Sequence, residues 1–170
     1  MRDEELSGRE LLKAAVIPRE TAMPNYAAKL SSAYVSSELI AEFIAALPMV
    51  VREIYGDRSL TAYYGWACNL HSDLLYKPMA VSLDVFPYFI EDSVEQRIYE
   101  IGGSDLLVEF PDSSLSILLC HESDIHLDGE DDVAINQIVA RFPQLGFRSA
   151  EEWKSVHRNE SNAEPPSSAG

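Results

Sequence analysis

A 170-residue chain that is 46% hydrophobic can bury one domain-sized core, which excludes a disordered chain and makes a single domain the expectation. Its 13 basic against 28 acidic residues, a net charge of −15, exclude nucleic-acid binding by phosphate neutralisation and docking on an anionic membrane, and favour a cation or a basic protein as partner. No run approaches the roughly 18 apolar residues of a membrane span, and the acid-bearing start MRDEELSGRE lacks the apolar core of a signal peptide, so a cytoplasmic domain is expected.

Residues 1–24 read as a peripheral segment, where Ser7 and Glu10 form a capping box for a short helix that Pro18 stops. A single α+β domain is expected over 25–157. SSELIAEFIAALP is the clearest helix, because Leu39, Ile40, Phe43, Ile44 and Leu47 share one face, with Glu38 and Glu42 off it. Pro48 is expected to break it or to open a second helical piece, MVVREIYG, that Gly56 caps. SLTAYYGWACNL is rich in aromatic and β-branched residues and reads as a strand, with Gly65 marking a bulge or a close backbone approach. MAVSLDVF alternates apolar and small or polar residues, so it reads as a strand that Pro87 ends or confines to an edge. Residues 91–105 carry both a helical face (Val94, Ile98, Ile101, with Ser93 and Gln96 as a capping box) and the alternation RIYEI. The strand-like runs that follow favour a strand there.

DLLVEF and LSILLCHESDIHL flank the turn-forming quartet PDSS and give the strongest β signal. After Gly129, EDDVAINQIVARF reads as a helix with Asp131 and Asp132 in its first turn and Val133, Ile135, Ile138, Val139 and Phe142 as its buried face. SAEEWKSV is a short terminal helix, and 158–170 lack core formers and are expected to be disordered. Helices, then strands, then helices predict an α+β fold: an antiparallel sheet of about four to five strands, with N-terminal helices and a C-terminal helix packed on it.

Charge is uneven along the chain. Residues 91–132 hold 13 acids against Arg97 alone, so about a quarter of the chain carries −12 of the −15. Within this block, CHESDIHLDGEDD concentrates residue types that do chemistry. As an EF-hand beginning at Asp124 it fails, because the twelfth position is Ile135 rather than a bidentate Glu; an irregular Ca²⁺ loop remains open. As a continuous strand it places Glu122, Asp124, His126 and Asp128 on one face, and separates Cys120 from His121 so that they cannot form a dyad. Zn²⁺ is the other metal alternative, drawn from His121, Glu122, Asp124, His126 and Asp128, with Cys68 and His71 as a Cys-x2-His pair. Cys68 and Cys120 are otherwise expected as buried free thiols.

No P-loop, no nucleophile elbow and no matched metal-ligand pairs occur, so the expected protein is a non-enzymatic binding module without a cofactor. It would dock a basic protein partner through Glu122, Asp124, Asp128, Glu130, Asp131 and Asp132. An immunity protein or inhibitor that neutralises a toxin or nuclease is the concrete form of this expectation. A metal-binding protein or metal-dependent enzyme is the alternative.

Overall fold

The structure, a computed structural model, describes residues 28–65, 77–110 and 115–153. The elements are β1 (Leu30–Ser31), α1 (Ser37–Tyr55), β2 (Ser59–Tyr64), β3 (Met79–Ser82), α2 (Phe86–Glu95), β4 (Leu106–Phe110), β5 (Leu115–Leu119), β6 (Ile125–Gly129), α3 (Asp132–Arg141), a 3-10 turn (Pro143–Leu145) and β7 (Arg148–Ser149). The fold is α+β, with an antiparallel sheet of seven strands in the order β3-β2-β4-β5-β6-β1-β7, rather than four to five. The additional strands are β1 and β7, two residues long each, which leave almost no periodic signal, and β6, which reads in the sequence as a continuation of β5. The expected N-terminal helix, the C-terminal tail, and Cys68 and His71 lie outside the described residues.

One face of the sheet is apolar from β3 to β1, and only β7 adds a polar residue, Ser149, to the row. Met79, Ala62, Val108, Ile117, Leu127 and Leu30 stand side by side in register, and the first five are fully buried. Tyr64, Leu106, Leu119 and Ile125 form a second buried row. The three helices belong to the same hydrophobic core and form a second layer, with α1 between α2 and α3. The opposite face carries Tyr63, Leu107, Leu118, His126, Ser31 and Arg148 in one register row, and Thr61, Glu109, Ser116 and Asp128 in the next.

Three local expectations are corrected. Pro48 does not break α1: the helix runs on for 19 residues, because Ile40, Phe43, Ile44, Leu47, Val50 and Val51 form one continuous buried stripe. Burying each of the last two contributes about 1.5–3 kcal/mol, which offsets the roughly 3 kcal/mol that an interior proline costs. Ser36 caps the helix start through its side-chain oxygen, and Gly56 ends it at φ 77°.

Residues 91–95 are helix, not strand. Pro87 opens α2 in its first turn instead of ending β3, and Phe86, Phe89, Ile90 and Ser93 make the buried face. Ser93 is therefore inside the helix, where its hydroxyl donates to the Phe89 carbonyl at 2.6 Å and contacts the Tyr64 hydroxyl, while Val94 is exposed. Arg97 then turns the chain out of the helix at φ 57°.

In α3 the buried side chains are Ala134, Ile135 and Ile138, and Val133 is 66% exposed. Of the expected face, Ile135, Ile138 and Phe142 are buried and Val139 partly so; only Val133 is misplaced, its position in the face taken by Ala134. Residues 150–153 are helical as expected, begun by a reciprocal box in which Ser149 N donates to Glu152 Oε2 at 2.7 Å and Glu152 N to Ser149 Oγ at 3.3 Å. These faces predict opposite outcomes for neighbouring truncations. Ile138→Ala is expected to cost about 2–5 kcal/mol in urea unfolding, whereas Val133→Ala is expected to stay within about 0.5 kcal/mol.

Candidate functional site

The run LSILLCHESDIHL is two strands, not one. β5 ends at Leu119, β6 begins at Ile125, and Leu119 pairs with Ile125, so the residues between reverse the chain. Cys120 N donates to the Asp124 carbonyl at 2.9 Å, Ser123 N to the Cys120 carbonyl at 3.1 Å, and Ser123 takes φ 59°. The turn is fastened on both sides. Ser123 Oγ donates to the Gly102 carbonyl at 2.9 Å, and Val35 N donates to the Ser123 carbonyl at 2.9 Å. Beside it, Ile125 N donates to Ser32 Oγ at 2.8 Å.

This reversal gathers side chains that a continuous strand would spread out. His121 N donates to Asp105 Oδ1 at 2.8 Å, and His121 Nδ1 lies 2.9 Å from the same oxygen. Cys120 Sγ lies 3.8 Å from His121 Nδ1, so the expected separation of thiol and imidazole does not hold. His126 Nε2 lies 3.2 Å from Asp124 Oδ1, while its Nδ1 is 2.7 Å from Ser31 Oγ. Asp105 is buried at 3% exposure and was not anticipated, because an acid directly before an apolar strand reads as a turn residue. Gly65 explains part of its position: Gly65 N donates to the Asp105 carbonyl at 3.0 Å, and a Cβ on Gly65 would sit 2.7 Å from Asp105 Cβ. The close backbone approach expected at Gly65 is thus an approach to Asp105.

Electrostatics follow from these contacts. Burial pushes the Cys120 thiol up to about 12, with Asp124 and Asp105 adding to the effect, so at neutral pH it is a thiol rather than a free thiolate nucleophile. Burial also works against the Asp124 carboxylate, but contacts from His126 and Cys120 outweigh it and hold the Asp124 pKa below its ordinary value. The hydrogen bond to Asp105 raises the His121 pKa.

The six acids expected to meet a partner fall into two groups. Glu122 and Asp124 lie in the β5–β6 turn, whereas Asp128, Glu130, Asp131 and Asp132 lie at the far end of β6 and the start of α3. Four residues of strand, about 13 Å, separate Asp124 from Asp128, so they do not share one ion in the manner of a calcium loop. Asp131 caps α3 by accepting from Ala134 N at 3.0 Å, and accepts from the Tyr55 hydroxyl at 3.0 Å; the Ala134 amide chiefly holds its pKa low. Asp132 pairs with Lys29. Glu122 and Glu130 are exposed.

A third feature was not anticipated. Between α1 and α2 lies a shallow apolar groove of about 280 Å³, lined by Ala41, Ile44 and Ala45 on one side and Pro87, Ile90, Glu91 and Val94 on the other. Tyr88 beside it is 64% exposed and Val94 40%. Among the described aromatic residues nearby, Tyr64, Phe86 and Phe89 are core, whereas Tyr88 is exposed.

No protein-family model matches this chain, and neither the curated proteins nor the solved structures contain a match to it.

Two measurements check the turn. Gly65→Ala is expected to destabilise by about 1–3 kcal/mol through overpacking, and to shift the His121 imidazole resonances because Asp105 must move. The His121 pKa is expected above 6.5 by NMR titration and to fall in Asp105→Asn. A raised folded-state pKa means that this pair's stability contribution is full below pH 6.5 and is lost as pH rises through the His121 value. The unfolding free energy of Asp105→Asn should therefore approach that of the parent as pH rises through that window.

Proposed function

We propose that the chain is a non-enzymatic binding module that docks a basic protein, using the groove between α1 and α2 together with the acidic surface of residues 91–132. The observation that carries this reading is the charge around the groove. Its walls are apolar but for Glu91, and acids border them: Glu38 and Glu42 lie next to Ala41 and Ala45 on α1, and Asp92 and Glu95 lie next to Glu91 and Val94 on α2. The only basic residue in either helix is Arg52, whose guanidinium is engaged by Asp57 and Asp84 at the far end of α1.

An apolar trough with acidic borders suits a basic amphipathic segment, most simply a helix laid into the groove. Val94 and Tyr88 would supply apolar anchors, where most binding energy concentrates. The acids of the borders, with Glu122, Asp124, Asp128, Glu130, Asp131 and Asp132, would speed encounter and reject acidic competitors. A protein of this kind acts by covering its partner, and an immunity protein that neutralises a basic toxin or nuclease is the concrete form we favour.

The test is recovery of a partner at low salt followed by reconstitution from purified components. Binding is expected to weaken steeply as ionic strength rises, and Glu91→Lys with Glu95→Lys is expected to weaken it at least about 10-fold, equivalent to about 1.4 kcal/mol. Val94→Asp should do the same without changing the fold. Affinity that ignores salt, or that survives both sets of substitutions, would overturn the reading.

A further inference from the structure

In and beside the turn between β5 and β6 lie a thiol, two imidazoles and two carboxylates, of which the docking reading uses only Asp124, as one acid among many. The ligand atoms of Cys120, Asp124 and His126 all lie within 4.8 Å of one another, and so do those of Asp105, Cys120 and His121. The two sets share Cys120 and so adjoin, but the ligand atoms of Cys120, His121, Asp124 and His126 do not all lie within that distance of one another.

Four observations converge on a cation. Thiolate with imidazole and carboxylate is a donor set suited to zinc, whereas calcium and magnesium take all-oxygen shells. A tetrahedral zinc with bonds of about 2.0–2.3 Å sets neighbouring ligand atoms about 3.2–3.8 Å apart; His126 Nε2 and Asp124 Oδ1 are 3.2 Å apart. Asp124 Oδ1 is buried, and His126 Nε2, 3.2 Å away, does not meet it in hydrogen-bond geometry, which is costly for a carboxylate oxygen. The far ring nitrogen of His126 is already held by Ser31 Oγ at 2.7 Å, the outer partner that orients a metal-bound histidine and leaves Nε2 facing the ion.

We propose that Cys120, Asp124 and His126 bind a Zn²⁺-class cation, with His121 completing the shell. His121 Nδ1 reaches the fourth position by giving up its contact with Asp105 Oδ1, which keeps the His121 amide as a donor. Binding forms a sulfur–metal bond at Cys120 and releases the thiol proton to solvent. Glu122, whose side chain is exposed, and Asp128, at the other end of β6, are outside the ligand set. The ion would staple the β5–β6 turn and, through Ser31, tie it to β1.

The experiment uses the full chain, kept reduced and stripped of metal, titrated with Co²⁺ as an optical stand-in and then with Zn²⁺. One equivalent of Co²⁺ is expected to give the visible bands of a tetrahedral site and a thiolate-to-cobalt charge-transfer band, both erased by Zn²⁺. Cys120→Ser should remove the charge-transfer band and Cys68→Ser should leave it. His126→Gln should abolish tight binding, and Ser31→Ala should weaken it about 10-fold. Circular dichroism establishes that each variant is folded. On the unmodified chain, Zn²⁺ should raise the melting temperature well beyond Mg²⁺ at equal concentration. Absence of the charge-transfer band, its survival in Cys120→Ser, unchanged affinity in His126→Gln, or equal thermal shifts with both ions would each overturn the site. Glu91→Lys with Glu95→Lys should bind metal normally, so failure here is distinct from failure of the docking reading.

Discussion

Met79, Ala62, Val108, Ile117 and Leu127 stand shoulder to shoulder on five neighbouring strands, each fully buried. A slip of one residue in any strand would carry its apolar set to the opposite face and bring polar side chains under the helices. That constraint sets the register of β5 against β6. With Ile117 opposite Leu127, Leu119 must oppose Ile125, and residues 120–124 have only the width of one strand gap in which to reverse. Residues forced into so small a loop cannot spread. The meeting of Cys120, His121, Asp124 and His126 is thus a consequence of core packing several residues away.

The helix layer obeys the same logic. α1 passes over the centre of the sheet and keeps its buried stripe through Pro48, because the apolar face below it does not end there. Its side toward α2 carries Ala41 and Ala45, whose short side chains leave unfilled space between the helices where larger residues would have closed it. The groove is therefore a property of residue size at two positions, and its acidic border a property of the positions that alternate with them.

The helices α1 and α3, the buried face of α1, and the strands β2, β3, β4 and β5 were legible in the sequence, because α1 carries a strong 3.6 period and the strands are runs rich in β-branched, aromatic or alternating apolar residues. The β5–β6 reversal was not, and parity explains why. Leu115, Ile117, Leu119, Ile125 and Leu127 are all odd-numbered, so a turn of five residues leaves the alternation apparently unbroken. The available clue was that His121 and Ser123 occupy odd positions without being apolar. Pro87 misled in the other direction: a proline next to a strand-like run suggests a strand end, yet the same residue suits a helix start, and the stripe Phe86, Phe89, Ile90 decides between them. Asp105 was illegible altogether, since its burial depends on Gly65 and His121, which are 40 and 16 positions away in the chain.

The loop of residues 101–105 ties the two surfaces together. Ile101 lines the groove, the Gly102 carbonyl accepts from Ser123 in the turn, and Asp105 holds His121. Gly102 is the pivot. Its φ of 76° suits glycine, and a Cβ there would sit 2.9 Å from Ser123 Oγ and 3.3 Å from Ser37 Oγ at the start of α1. A side chain there would displace the Ser123 hydroxyl, and with it the bond to the Gly102 carbonyl that fastens the turn, in addition to the strain of the positive φ. A glycine that reads as loop punctuation in the sequence is thus a point at which the first turn of α1 and the β5–β6 turn come close together.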